Sequence, residues 1–252
     1  MERVRIDATD SLVVGDWATA DAERVRDIVA RQALREFVSF DHPLARFVGL
    51  HWYQALQSGS RHGGAIELPF ELDEVRAMAL RALDDPPMAF VGADGTPVIN
   101  DSTEELAFLA LGHTGRAEDV AALRRQFDRS RTDDGSLQFA FLALAAIERE
   151  HPGALATVRP WLSAYVESDA SPQLRGEALG VLTVLDDDAT LAQLRALAAG
   201  EPSELAWTAA AALARRGDPQ DRLVARSLFD RSTRPDGYSN EYVLLQEAVT
   251  DE

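Results

Sequence analysis

Four short segments decide how this chain reads: Leu109-Ala110-Leu111, Leu142-Ala143-Leu144, Glu177-Ala178-Leu179 and Ala211-Ala212-Leu213. Their last leucines stand 33, 35 and 34 residues apart. A near-constant period of this length marks a helical repeat array, whose units hide their apolar faces against one another. Working outward, each segment follows residues that start helices: Asp101-Ser102-Thr103-Glu104, Asp133-Asp134-Gly135-Ser136, Ala170-Ser171-Pro172 and Glu201-Pro202-Ser203-Glu204. Short side-chain oxygens there accept from the unbonded amides of a first turn. An apolar helix of about three turns follows, then a polar break such as Thr114-Gly115-Arg116 or Arg216-Gly217-Asp218-Pro219. A second periodic helix comes next in each unit: Val120-Leu123-Phe127, Leu155-Val158-Leu162, Leu191-Leu194-Leu197 and Leu223-Ala225-Leu228. One such antiparallel pair cannot bury both of its apolar faces, so the pairs must stack.

The stretch Glu105-Leu106-Ala107-Phe108-Leu109-Ala110-Leu111-Gly112-His113-Thr114-Gly115 resembles the first half of a HEAT repeat, and so does Ala211-Ala212-Leu213-Ala214-Arg215-Arg216-Gly217-Asp218-Pro219. The short repeats of bacterial HEAT proteins and bilin lyases are the nearest likeness, over about residues 101–231. The middle two units depart from it, carrying Glu148-Arg149-Glu150-His151-Pro152 and Asp186-Asp187-Asp188 where the others have a Gly-containing break. The resemblance implies an all-α, right-handed α-solenoid of about four HEAT-like helix pairs, and it says little about task, because this scaffold serves many.

The first hundred residues are less regular and read as an irregular N-terminal helical cap. Asp21 to Phe37 and Pro43 to Leu56 have helical periodicity, and Asp73 to Leu83 resembles one more first helix of a repeat. Asp84-Asp85-Pro86-Pro87 stops it. Within the insertion over 84–100, Phe90-Val91, Asp94-Gly95 and Val98-Ile99 read as a small hairpin, kept short by Pro97. The repeat array spans 101–231. A linker and a C-terminal capping helix, Asn240 to Val249, fill 232–252.

Composition bounds the function. The net charge is −17, and every one of the 25 basic residues is arginine. An arginine-only, alanine- and aspartate-rich chain points to a GC-rich, bacterial coding genome. A surface so acidic repels phosphate backbones and disfavours nucleic acid as a partner, while suiting a basic protein; solubility alone also accounts for it. With no cysteine in the chain, disulfides, thiolate metal sites and cysteine nucleophiles are excluded. The longest apolar run, Phe139 to Ile147, is far short of the roughly 20 residues that span a membrane. The opening Met-Glu-Arg-Val-Arg-Ile-Asp lacks the apolar core of a signal peptide, so the expected place is the cytoplasm.

Few residues suggest chemistry. None of the five histidines, His42, His51, His62, His113 and His151, is followed by glutamate or stands four residues from another, so no metal and no cofactor is expected. His113 and His151 suit helix C-termini. Gly59-Ser60-Arg61-His62-Gly63-Gly64 could cradle an anion, but it lacks the P-loop lysine and reads equally as a connection. No nucleophile elbow is present, and Arg216-Gly217-Asp218 falls on an inter-helix turn. No catalytic residue is assigned.

The more informative pattern is an arginine following an apolar residue in each second helix: Leu123-Arg124, Val158-Arg159, Leu194-Arg195 and Ala225-Arg226. Equivalent positions of stacked repeats form a row, and second helices of HEAT arrays line the concave face. Arg124, Arg159, Arg195 and Arg226 would then grip carboxylates or phosphates, with Trp161 and Tyr165 as aromatic anchors. The alternative is that these arginines pair with acids of the neighbouring repeat. The expected function is a non-enzymatic scaffold or adaptor holding a protein or peptide in its concave face. Two other readings stand beside it. One is an acidic immunity or inhibitor protein against a basic enzyme such as a nuclease toxin. The other is a lyase or isomerase of the bilin-lyase kind acting on a bulky small molecule.

Overall fold

The structure, a computed structural model, describes residues 5–6, 12–13, 41–60, 71–85, 88–91, 97–100, 102–129, 134–235 and 239–250. Among them the protein is all-α in class, with eleven helices and two short antiparallel strand pairs. The chain divides into two compact units, Met1–Ala110 and Leu111–Glu252.

In the first unit β1 (Arg5–Ile6) pairs with β2 (Leu12–Val13), a pairing the sequence reading did not assign. Helix α1 (Pro43–Ser60) packs on α2 (Leu72–Ala82). Their contact buries Leu50 and Tyr53 from α1 and Val75, Met78 and Ala79 from α2. The i, i+3, i+4 spacing of the α2 set lays them on one stripe. A largely buried fork ties α1 to the turn that follows α2: Arg46 Nε donates to Asp85 Oδ2 at 2.7 Å, and its Nη2 reaches the other oxygen. The expected hairpin is present as β3 (Met88–Val91) against β4 (Pro97–Asn100), with Phe90 opposite Val98. Pro97 opens β4, where it forfeits no inner ladder bond. The helix expected over Asp21 to Phe37 and the Arg61–Gly64 part of the glycine-rich loop lie outside the described residues.

Helix α3 (Ser102–Thr114) crosses from the first unit into the second, and the rest follow: α4 (Val120–Gln126), α5 (Asp134–Glu150), α6 (Arg159–Val166), α7 (Pro172–Leu185), α8 (Asp188–Ala199), α9 (Glu204–Arg215), α10 (Pro219–Arg231) and α11 (Asn240–Thr250). The repeat leucines Leu111, Leu144, Leu179 and Leu213, one each on α3, α5, α7 and α9, are all 0% exposed. In the second unit α5 packs on α7, α7 on α9 and α9 on α11, while α8 packs on α10. Helices α7 and α9 each also contact the helix that follows them.

Local chemistry explains the helix starts. The Ser171, Asp187, Ser203 and Asp218 side chains accept from amides in the first turns of α7, α8, α9 and α10. Pro172 and Pro219 supply a preset first helical position. Two glycines are required by geometry. A β-carbon on Gly115 would come within 2.7 Å of Ile147 Cδ1 and crowd the Leu111 carbonyl. Gly217, at φ +81°, closes α9 in the left-handed region.

Two expectations about second helices are corrected. Leu155 is buried but not helical: Pro152 and Gly153, the latter at φ +93°, break the chain into turns, and α6 begins only at Arg159. Those turns are organised by buried Glu148, whose carboxylate accepts from the Gly153 and Leu155 amides at 2.8 Å each. Leu223 does not join Ala225 and Leu228 in the core. It is 70% exposed, because the buried stripe of α10 is Asp221, Ala225 and Leu228 at i, i+4, i+7.

Candidate binding surface

The structure gathers three of the six candidate residues. Arg124, in the last turn of α4, lays its guanidinium over the ring of Trp161 on α6, with Cζ 4.5 Å from the ring centroid. Trp161 meets Tyr165, one turn along α6, at 5.6 Å between centroids. Phe127, one residue past α4, completes the cluster at 4.9 Å from Trp161 and 5.6 Å from Tyr165. Underneath, Phe141 of α5 is 0% exposed and stands 4.6 Å from Phe127 and 5.3 Å from Tyr165. Most of these pairs are tilted or edge-on, the arrangements the ring quadrupoles favour. Phe127, Trp161 and Tyr165 remain half-buried, so the cluster has a dry floor and a solvent-facing rim. Arg124 Nη1 also lies 2.7 Å from Asp128 Oδ1, one turn on.

The other arginines are held differently. Arg159, at the start of α6, donates from Nε and Nη2 to the two carboxylate oxygens of Asp187, at 2.7 and 2.9 Å. Asp187 is the N-cap of α8 and accepts from the Thr190 amide at 2.7 Å. The Arg159 fork and that amide hold its carboxyl well below the usual carboxylate range. Arg195 of α8 makes a fork of the same kind, donating to Asp221 in the first turn of α10 at 2.6 and 3.1 Å. Arg226 of α10 lies 3.3 Å from Asp230 on its own helix. The turns between helices carry a further tie, from Arg216 to Asp186. Of the four arginines, Arg159 and Arg195 are therefore clamps, from α6 to the start of α8 and from α8 to the first turn of α10, while Arg124 lies on an aromatic ring and Arg226 pairs within α10.

Trp207 is buried, donating from Nε1 to Ser232 Oγ at 2.9 Å and meeting Tyr242 of α11 edge-on. The described histidines take peripheral places. His113 and His151 are exposed at the ends of α3 and α5, His42 Nδ1 accepts from the Leu44 amide, and exposed His51 stacks beside Phe47. Among the described residues no three His, Cys, Asp or Glu side chains gather as metal ligands could. None of the described helices is long and apolar enough to cross a membrane.

Sequence reasoning missed Phe127 as a member of the cluster and Phe141 as the buried ring beneath it. Phe127 lies three residues after Arg124, a spacing that could have placed it on the same helix face. Phe141 carries no such signal, because it meets the cluster through the packing of α5. Chemically the patch offers an aromatic floor and one delocalised cation, which suits an apolar or aromatic side chain beside a carboxylate. No protein-family model matches the chain, and no curated protein or solved structure matches it.

Proposed function

We propose that residues 101–231 form a right-handed solenoid of four HEAT-like helix pairs that binds a protein or peptide, with Arg124, Phe127, Trp161 and Tyr165 as its anchor. The observation that carries this reading is the cluster itself. Three half-buried rings and an arginine converge from α4, the residue that ends it, and α6, in this reading both second helices of their pairs. Large, rigid aromatics beside an arginine are the residue types that dominate binding energy at protein interfaces. The repeat reading is supported by the buried repeat leucines and by the succession of contacts α5–α7–α9 alongside α8–α10. The Arg159 and Arg195 clamps support it too, since the same second-helix position ties to the next second helix in both units. In this reading those two arginines set the stacking of the array, and Arg124 is the one that meets the partner.

The tagged protein should capture one stoichiometric partner from its host lysate, read by mass spectrometry. Arg124→Gln and Trp161→Phe should each lose most of that partner while keeping the helical circular dichroism signal. Equal capture by both variants would rule the patch out. The net charge of −17 favours a basic partner and so gives the inhibitor reading its support. A complex that blocks a basic enzyme and dissolves at high salt selects that reading over a general adaptor.

A further inference from the structure

A second surface lies in the same unit, shares no residue with the aromatic patch and does not depend on it. Helix α10 carries a stripe of Pro219, Arg222, Leu223 and Arg226 at i, i+3, i+4 and i+7, so these four share one face. The face opposite, Asp221, Ala225 and Leu228, is buried. Together with Ala214 of α9 and with Ala248 and Val249 in the last turn of α11, the outer stripe lines an open groove of about 600 Å³. Its floor is aliphatic, and Leu223, at 70% exposed, has the most exposed large apolar side chain among the described residues. Its polar members are both cations. Arg222 makes no ion pair among the described residues, and Arg226 holds a half-exposed pair to Asp230 on its own helix and donates a long hydrogen bond, 3.5 Å, to the Val249 carbonyl of α11. A surface pair of that kind is weak enough for an incoming carboxylate to displace.

We propose that this groove docks an acidic amphipathic helix of a partner protein. Arg222 and Arg226 are one helical turn apart, which matches two carboxylates one turn apart on a guest helix. A leucine-type side chain between those carboxylates would cover Leu223, which is 70% exposed among the described residues, and lie against half-buried Val249. The charge selects the guest. The polar side chains that line the groove, Arg222 and Arg226, are both cations, so carboxylates are the guest groups they complement, locally and against the net charge of −17 of the whole chain. The groove is open rather than enclosed, so it accepts a helix lying along it.

The probe is a fluorescently labelled, N-acetylated peptide of leucine, alanine and glutamate, with glutamates four residues apart flanking a leucine stripe. Fluorescence anisotropy with the full chain should show saturable binding. Leu223→Asp and Arg222→Glu should each weaken it about tenfold or more, and Trp161→Phe should leave it unchanged. A charge-reversed peptide with arginines in place of the glutamates should bind Arg222→Glu better than it binds the unaltered protein. Because Leu223 and Arg222 are exposed, circular dichroism should report both variants as folded. Absence of saturable binding, or equal affinity across the variants, would overturn the proposal. So would a dimer in sedimentation that Leu223→Asp dissolves, since the occupant would then be a second copy of this chain.

Discussion

Glu177 shows how one residue on a helix face can work against the fold. It lies half-buried on α7, and burial, with repulsion from Glu241 at the start of α11, pushes its carboxyl above the ordinary range. A carboxyl with a raised folded-state pKa stabilises the native state fully below its unfolded value. That contribution is lost as pH rises through the raised value. At neutral pH the charged form therefore sits beside a like charge at a cost. Glu177→Gln should raise the thermal midpoint at pH 7 by roughly 1–2 °C, after discounting for solvent screening. In a pH series of melts the two proteins should converge towards pH about 4, near the unfolded pKa of glutamate. A lower midpoint for Glu177→Gln at pH 7 would contradict this assignment of sign. The residue scale also marks where sequence stops informing. Arg159 and Arg195 are conspicuous in the chain, but their partners lie 28 and 26 residues away, and only the packing of successive helices brings them together.

At the scale of elements, helix starts and the apolar stripes of the first helices were legible, because capping and periodicity are local. Ser171, Asp187, Ser203 and Asp218 cap helices for the reason their side chains advertise. The second helices were less legible. Their stripes are short, so Leu223 could not be told from a core residue until the buried positions Asp221, Ala225 and Leu228 showed which face turns inward. The start of α6 moved for a related reason: Pro152 and Gly153 override the apolar pattern around Leu155. Asp187 tests how elements are joined, since it both caps α8 and clamps Arg159 of α6. Asp187→Ala should cost about 2 kcal/mol in urea unfolding at pH 7, roughly half from the lost cap and half from the clamp. The Asp187 carboxyl is held below its ordinary range, so its contribution is present above the unfolded value and lost as pH falls through the folded one. The gap between the two proteins should therefore narrow below pH about 4. A cost that persists undiminished into strong acid would assign it to the helix alone and not to the ion pair.

At the scale of the whole molecule, a repeat period and an acidic composition were visible before any fold was. The all-α class followed from the helical periodicity, and the four leucines at near-constant spacing, Leu111, Leu144, Leu179 and Leu213, are all buried on helices. The aromatic cluster was only half visible. Arg124, Trp161 and Tyr165 were named from the chain, while Phe127 and Phe141 joined them through three-dimensional packing. The central claim is that α4 and α6 present this cluster to a protein partner. Hydrogen–deuterium exchange on the captured complex tests it most directly. The account predicts new protection in residues 120–129 and 159–166 on binding, with the amides of α7 and α9 unchanged. Protection confined to α7, α9 or the first unit, with 120–129 and 159–166 exchanging as in the free protein, would contradict it.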